Sequence, residues 1–251
     1  SGFSSNNNTV TIDNRSYTRD VTFVGSTKAP VLAEVGRQTF NIYGSSEWQQ
    51  GMNTISISNI YYRHTGNNKT IKSNGVVTGT NSNIIYLEEE SSIDLLDHFS
   101  TSYLEHRAGT LNTNNHNLTI SFYYDTLTGN KQKTLDLGSS NIYMTYMAAA
   151  FKANTNTLTL KAGTSNIHFT TFSNGYNSSN YGLLTKDKQV YYDVTFESTG
   201  GVINTPSNES VSFNKVELKG DGVIFGNNTF NDLIFTAGKT YVLQANKTQT
   251  I

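Results

Sequence analysis

A repeated phrase in the middle of the chain constrains the fold more than any other feature. Each copy has an apolar segment, a polar corner of Asn, Ser, Thr or Gly, and a second apolar segment. The copies begin at Leu111, Leu135 and Leu158, so they follow one another after 24 and 23 residues. A unit of this length that recurs at a steady spacing is typical of stacked repeat proteins, in which each repeat buries its apolar face against its neighbours.

The rest of the chain has short alternating segments rich in Thr, Ile, Val and Tyr, and Gly, Asn and Ser separate them. This pattern indicates many short strands between turns. Helical patterns are limited to residues 93–99 and 144–151, which predict at most one short helix. We therefore predict an all-β protein, a single-stranded right-handed parallel β-helix of about eleven coils. We expect right-handed winding because crossover connections between parallel strands are nearly always right-handed.

The repeat also predicts which residues face the core and which form the corners. Corners require positive φ angles, which Gly and Asn tolerate better than other residues. The apolar residues on either side of each corner are expected to point inward: Leu111, Leu118, Leu135, Ile142, Leu158 and Ile167.

Composition excludes several classes of function. The net charge of −1 provides no electrostatic basis for binding nucleic acid or an anionic membrane. The chain has no cysteine, so it has neither disulfides nor a thiolate metal site. It also has no apolar run long enough to cross a bilayer, and we expect no membrane insertion by this segment. No cofactor and no metal are expected.

Several phrases carry a resemblance to a known family. They are GTLNTNNHNLTI (residues 109–120), KTLDLGSSNIYM (133–144), LTLKAGTSNIHFT (158–170), VYYDVTF (190–196) and the segment 228–251. The chain resembles, over nearly its whole length, the large repetitive β-helical surface proteins of gliding and environmental bacteria, which are often exported by the type IX route. The resemblance implies a secreted, cell-surface location and an adhesin or stalk role. It implies no catalytic residue.

The resemblance also implies the domain organisation. Residues 1–251 are expected to form one β-helix module, an excised segment of a longer surface protein with flanking modules of the same polypeptide. The chain departs from the family pattern at residues 176–189, where an apparent insertion precedes a strand. A loop of this kind on a rigid stack is a plausible ligand contact.

Three pairs of adjacent tyrosines occur in strand segments, at positions 61–62, 123–124 and 191–192. Side chains alternate across a strand, so one member of each pair is expected to face outward. An outward tyrosine offers a flat apolar ring with a hydroxyl group, which suits sugar rings or another protein. The alternative is that outer rings only stack on neighbouring coils. The candidate ligand-binding residues are Tyr62, Tyr124, Tyr176 and Tyr181.

Several charged groups are candidates for a catalytic or metal-binding role. Glu88 and Glu90 share a strand face, and Asp94, Asp97 and His98 lie close together in sequence. The five histidines lack the spacing of a metal site. A second set suggests a polysaccharide lyase, and consists of Glu105, His106 and Arg107 with Arg15 and Arg19. Trp48, the single tryptophan, is expected to cap an end of the core, and the alternative is that it anchors a ligand.

The predicted function is a non-catalytic adhesin or stalk module that binds surfaces or glycans weakly and through many copies. Its partner would be an extracellular surface, a glycan or a protein. Two alternatives stay open: a carbohydrate-active β-helix enzyme, either a lyase or a hydrolase, and a spacer that binds nothing.

Overall fold

A computed structural model describes residues 9–23, 29–52, 54–63, 66–78, 84–87, 92–126, 130–171, 181–205 and 210–251. Within these ranges all regular structure is β-strand, and the two segments with helical patterns contribute strands and turns instead. Accordingly, the described residues contain no helix that could cross a membrane.

The strands are short. They are β1 (Thr9–Ile12), β2 (Ser16–Thr18), β3 (Val21–Thr22), β4 (Val31–Glu34), β5 (Thr39–Ile42), β6 (Ser46–Glu47), β7 (Thr54–Ser56), β8 (Asn59–Tyr62), β9 (Lys69–Lys72), β10 (Val77–Thr78), β11 (Ile84–Leu87), β12 (Ser92–Leu95), β13 (Phe99–His106), β14 (Gly109–Asn112), β15 (Leu118–Asp125), β16 (Lys133–Asp136), β17 (Asn141–Met144), β18 (Ala150–Lys152), β19 (Leu158–Lys161), β20 (Asn166–Phe169), β21 (Gly182–Leu184), β22 (Val190–Phe196), β23 (Gly201–Asn204), β24 (Ser210–Leu218), β25 (Gly222–Phe225), β26 (Asn227–Phe235), β27 (Tyr241–Leu243) and β28 (Gln249–Thr250).

The strands form three parallel ladders, and each coil takes the chain through all three in turn. The first ladder is β1, β4, β7, β10, β13, β15, β17, β20, β22, β24 and β26. The second is β2, β5, β8, β11, β13, β15, β18, β21, β23, β25 and β27. The long strands bend at a corner and therefore belong to two ladders.

The third ladder has two sections. The first section is β3, β6, β9, β12, β14, β16 and β19. The second section consists of the first halves of β22, β24 and β26 together with β28. Parallel pairing between successive coils confirms the predicted β-helix, with close to the predicted number of coils, while its right-handed sense stays a prediction.

The core is a set of apolar rows that run along the axis. Leu111 lies beside Leu135 of the next coil, and Ile142 lies between Leu118 and Ile167. All six residues predicted to face inward are buried, with at most 5% of their surface exposed. Burial of one such side chain contributes roughly 1.5–3 kcal/mol to stability.

The corners of the repeat have the predicted backbone conformation. Asn114 and Asn115 have φ angles of 52° and 63°, and Gly138 and Gly163 have φ angles of 50° and 57°. The side chain of Asn115 also accepts a hydrogen bond from the backbone N–H of Ser139 in the next coil, at 2.9 Å. Asparagine therefore satisfies the corner conformation and links neighbouring coils.

The prediction for Trp48 is wrong, because the residue lies inside the stack rather than at its end. Its ring stacks on Phe23 of the preceding coil, with 5.8 Å between the ring centroids. Its backbone N–H donates to the carbonyl oxygen of Lys72 in the following coil, at 2.9 Å. With coils on both sides and no exposed surface, Trp48 is an ordinary core residue.

Candidate functional site

The doubled tyrosines divide between core and surface as predicted. In each pair one ring is buried and its neighbour reaches the surface. The buried rings are those of Tyr62, Tyr123 and Tyr191. The rings that reach the surface are those of Tyr61, Tyr124 and Tyr192.

The prediction that Tyr62 contacts a ligand is wrong. Tyr62 is only 1% exposed, and its hydroxyl lies 3.2 Å from the hydroxyl of Ser46 in the interior. Burial raises the pKa of its phenol to about 12. The reason is the alternation of β8, in which the buried Ile60 and Tyr62 share a face while Tyr61 lies on the other. Tyr62 is a core residue and cannot contact an external ligand.

The other three candidates differ in their placement. Tyr124 lies half-buried on the outer face of the second ladder, and Tyr181 is partly buried against the core. Burial is the main cause that raises the pKa of Tyr103 and of Tyr124, and Tyr181 contributes to both shifts, which reflects its proximity to the two rings. Tyr176 falls in residues 172–180, outside the described residues.

Four aromatic residues lie near Tyr124 on this face, and together with it they form what we call the outer aromatic band: Tyr103, Phe122, Tyr124, Tyr146 and Tyr181. The rings of Tyr103 and Phe122 are stacked, with centroids 4.4 Å apart and planes within 14° of parallel. Phe122 also stacks on Tyr124 at 5.7 Å and contacts Tyr146 at 5.5 Å. Strand pairing between β13 and β15 fixes this arrangement, because Tyr103 and Phe122 occupy the same position in successive coils.

Cations lie at both ends of the outer aromatic band. The Lys152 ammonium is 4.9 Å from the centroid of the Tyr124 ring. Towards the first coils, the Arg107 guanidinium is 2.9 Å from the Glu105 carboxylate and 5.9 Å from the Tyr61 ring centroid. Cation–ring contacts of this kind hold both partners in a fixed orientation.

The hydroxyl groups of Tyr103 and Tyr124 remain protonated across the physiological pH range. Burial is the main cause that raises the pKa of Tyr124 to about 12, with smaller contributions from Tyr103, Tyr181 and Glu105. Burial also raises the pKa of Tyr103. A protonated phenol both donates and accepts hydrogen bonds, so the band offers apolar ring faces together with neutral polar groups.

The acidic and histidine candidates serve as corner links between coils. The Asp97 carboxylate accepts hydrogen bonds from the backbone N–H groups of Ser73, at 2.7 Å, and Asn74, at 2.5 Å. Asp94 accepts a hydrogen bond from the side-chain amide of Asn112, at 3.0 Å. Nε2 of His98 lies 3.0 Å from the Thr119 hydroxyl of the next coil. These contacts explain Asp94, Asp97 and His98 as structural groups. Glu88 and Glu90 lie outside the described residues.

The residues that suggested a lyase are not brought together. Arg15 and Arg19 lie in the first coil, where Arg19 is 3.6 Å from Asp20, whereas Glu105 and Arg107 lie four coils further on. Across the described part of the chain, no three acidic or histidine side chains converge as a metal site would require.

A buried polar row behind the outer aromatic band is not evident in the sequence patterns considered above. Nδ1 of His106 lies 3.0 Å from the Tyr123 hydroxyl, and its Nε2 lies 2.9 Å from the carbonyl oxygen of Gly109. In the next coil, Asp125 accepts hydrogen bonds from the backbone N–H and hydroxyl of Thr155, at 2.8 and 2.7 Å. Alternation would have revealed His106, because it shares the inward face of β13 with Leu104.

Burial is the main cause of the pKa shifts of His106, Asp125 and the nearby Lys133. It lowers the pKa of His106 to about 4 and lowers that of the Lys133 ammonium. It raises the pKa of Asp125, although the hydrogen bonds from Thr155 oppose this shift. The Lys133 ammonium donates to the carbonyl oxygen of Thr126, at 2.8 Å. These polar groups bond to one another or to other groups inside the fold. They therefore support the outer aromatic band rather than contacting a ligand.

Comparison of the chain with models of protein families, with curated proteins and with solved structures found no match. We therefore infer the function from the geometry of the surface.

Proposed function

We propose that this chain is a non-catalytic module of a large, secreted bacterial cell-surface protein, and that it binds glycans of extracellular surfaces weakly and through many copies. The observation that carries the proposal is the outer aromatic band. It presents stacked rings on a rigid ladder next to the chain segment that departs from the family pattern.

The band has the chemistry that sugar recognition needs. A pyranose ring has apolar C–H faces and a rim of hydroxyl groups, so it fits an aromatic ring with hydrogen-bonding groups nearby. Tyr146 is 46% exposed and Met147 next to it is 53% exposed, which gives the band an accessible apolar edge. The ammonium of Lys152 and the carboxylate of Glu105 lie on either side of Tyr124 and supply polar contacts.

The rigidity of the ladder supports a role in multivalent binding. Parallel pairing holds Tyr124 between Glu105 of the preceding coil and Lys152 of the following one, so the rings are already positioned before a ligand arrives. A rigid site loses less conformational entropy on binding. Several weak sites on one polypeptide then produce an avidity far above the affinity of one site.

The proposal is tested by comparing one module with a tandem array of four copies on whole bacterial polysaccharides and on a glycan panel. We expect the array to bind at least tenfold more tightly than the single module. Tyr124→Ala and Tyr181→Ala should weaken binding, while Tyr17→Ala, in a tyrosine that is 60% exposed in the first coil, serves as the matched control.

Two results would contradict the proposal. The first is an array that binds no better than the single module, together with no effect of the Tyr124 and Tyr181 substitutions, which would favour a spacer role. The second is release of reducing sugar or unsaturated products from any polysaccharide in the panel, which would favour the carbohydrate-active enzyme.

A further inference from the structure

The third ladder is interrupted at one point, and this interruption opens the core to the surface. β19 pairs with β16 on one side, and the next segment on this face, Val190 and Tyr191, pairs forward with β24. Among the described strands, no pairing joins β19 to β22. A gap therefore separates the two sections of the ladder.

The exposure of Leu160 shows the effect of the gap. Leu160 occupies the same inward position as Leu135 in the preceding coil. Leu135 is fully buried, whereas Leu160 is only partly buried. The difference arises because none of the strands described in the following coil pairs with β19 over Leu160, so its side chain lines a cavity.

The cavity has a volume of about 450 Å³, and we call it the third-face cleft. This volume lies within the usual range for small-molecule sites. Its apolar lining includes Leu160, Val190 and Tyr192. Val190 is 62% exposed and Tyr192 is 37% exposed, so both side chains are accessible to a ligand.

The cleft is also lined by neutral polar groups, which are the hydroxyls of Ser212 and Thr229 and the amides of Asn214 and Asn231. The amides are held in place by a chain of hydrogen bonds. Asn231 donates to the side-chain oxygen of Asn214, at 3.3 Å, and Asn214 donates to the Asp193 carboxylate, at 2.8 Å.

The lining determines the class of ligand. Among the residues that the structure describes, the side chains that line the cleft are all uncharged, and the nearby Asp193 carboxylate is 3.6 Å from the Lys215 ammonium, which offsets its charge. A cleft with this lining offers no ion pair to an anionic or cationic ligand. It suits a neutral ligand with an apolar face and several hydroxyl groups.

We propose that the third-face cleft is a second carbohydrate site, which holds a short stretch of a neutral polysaccharide. The ring of Tyr192 stacks on one pyranose face, and Asn214, Asn231 and the two hydroxyl side chains bond to the sugar hydroxyls. The cleft lies where the third and first ladders meet, whereas the outer aromatic band lies on the second ladder. The two sites therefore use different residues, and either can exist without the other.

Binding is tested by ligand-observed NMR and calorimetry with neutral hexasaccharides of glucose, xylose and N-acetylglucosamine, and with anionic oligogalacturonate. We expect at least one neutral hexasaccharide to bind with a Kd near the millimolar range, and we expect binding of oligogalacturonate at the cleft to be at least tenfold weaker. Tyr192→Ala should weaken binding of the neutral sugar at least tenfold, Asn231→Ala about threefold, and Tyr192→Phe less than threefold. Circular dichroism confirms that each variant is folded.

Variants of the other site separate this proposal from the proposed function. Tyr124→Ala should leave binding at the third-face cleft unchanged, with Tyr17→Ala as the control for an exposed tyrosine elsewhere. Binding that depends on Tyr124 but not on Tyr192 would contradict the proposal of a carbohydrate site in the third-face cleft. It would still support the site at the outer aromatic band. The cleft proposal would also be contradicted if none of the neutral hexasaccharides bound, or if oligogalacturonate bound with the same affinity as a neutral hexasaccharide.

Discussion

Nδ1 of His106 lies 3.0 Å from the hydroxyl oxygen of Tyr123, which belongs to the following coil. Nε2 of the same ring lies 2.9 Å from the carbonyl oxygen of Gly109 and, since a carbonyl can only accept, carries the proton. Nδ1 then accepts from the Tyr123 hydroxyl. These bonds are those of the neutral imidazole, which full burial favours over the charged form.

The first prediction concerns the pH dependence of stability. Burial lowers the pKa of His106 from 6.5 to about 4, so between these values the unfolded chain binds a proton that the folded protein does not. Stability contributed by the neutral ring is therefore complete above pH 6.5 and decreases as the pH falls towards 4. The expected loss is on the order of 3 kcal/mol. Urea denaturation at intervals between pH 7 and pH 4 measures it.

His106→Gln is the matched variant, because glutamine keeps one donor and one acceptor but does not titrate. The raised pKa of Asp125 acts in the opposite direction and is present in both proteins, so it cancels in the comparison. The slopes of stability against pH should differ between wild type and variant only below pH 6.5. Parallel slopes over the whole range would show that His106 is not neutral and buried.

The second prediction tests the repeat itself. Leu135 is fully buried and lies between Leu111 and Leu160 in the third ladder. Leu135→Ala should reduce the free energy of unfolding by ~2–5 kcal/mol because it removes buried surface and leaves a cavity. Leu96→Ala is the control, since Leu96 is 43% exposed, and should change stability by no more than about 0.5 kcal/mol. Similar effects in both variants would contradict the assigned core.

The fold could be predicted from the sequence because the rule of alternation and the corner residues repeat in every copy. The site could be predicted only in part, since the alternation restarts at each corner. In β15 the inward positions include Ile120 and then Tyr123, so the phase shifts by one residue at the bend. The neighbourhood of Tyr124 and Tyr181 was not predictable either. It depends on how many residues each intervening coil uses, which local patterns do not determine.

The third prediction tests the corrected placement of Tyr62. Tyr62→Phe removes the hydroxyl that bonds to Ser46 and should reduce stability by about 1 kcal/mol. Glycan binding should not change, because the ring lies inside the core. Tyr61→Phe, on the outer face of the same strand, is the control and should affect stability less. If Tyr62→Phe weakened glycan binding and left stability unchanged, Tyr62 would have to lie at the surface.

The last prediction concerns the close approach of two corners. Gly163 has a φ of 57°, and a Cβ added to it would overlap the carbonyl oxygen of Gly138 in the preceding coil. That oxygen also accepts a hydrogen bond from the backbone N–H of Thr164, at 2.7 Å. Gly163→Ala therefore combines a left-handed backbone with a steric clash that separates the two coils.

Gly75→Ala isolates the backbone contribution. Gly75 has a φ of 80°, and an added Cβ would meet no atom within 4 Å. Gly75→Ala should cost about 1–2 kcal/mol, the usual penalty for a left-handed residue with a side chain. Gly163→Ala should cost at least about 1 kcal/mol more, because overpacking adds to the same penalty. Urea denaturation of the two variants side by side provides the measurement. Equal destabilisation would show that the corners at Gly138 and Gly163 are not in contact, and that the coils stack less closely on this edge.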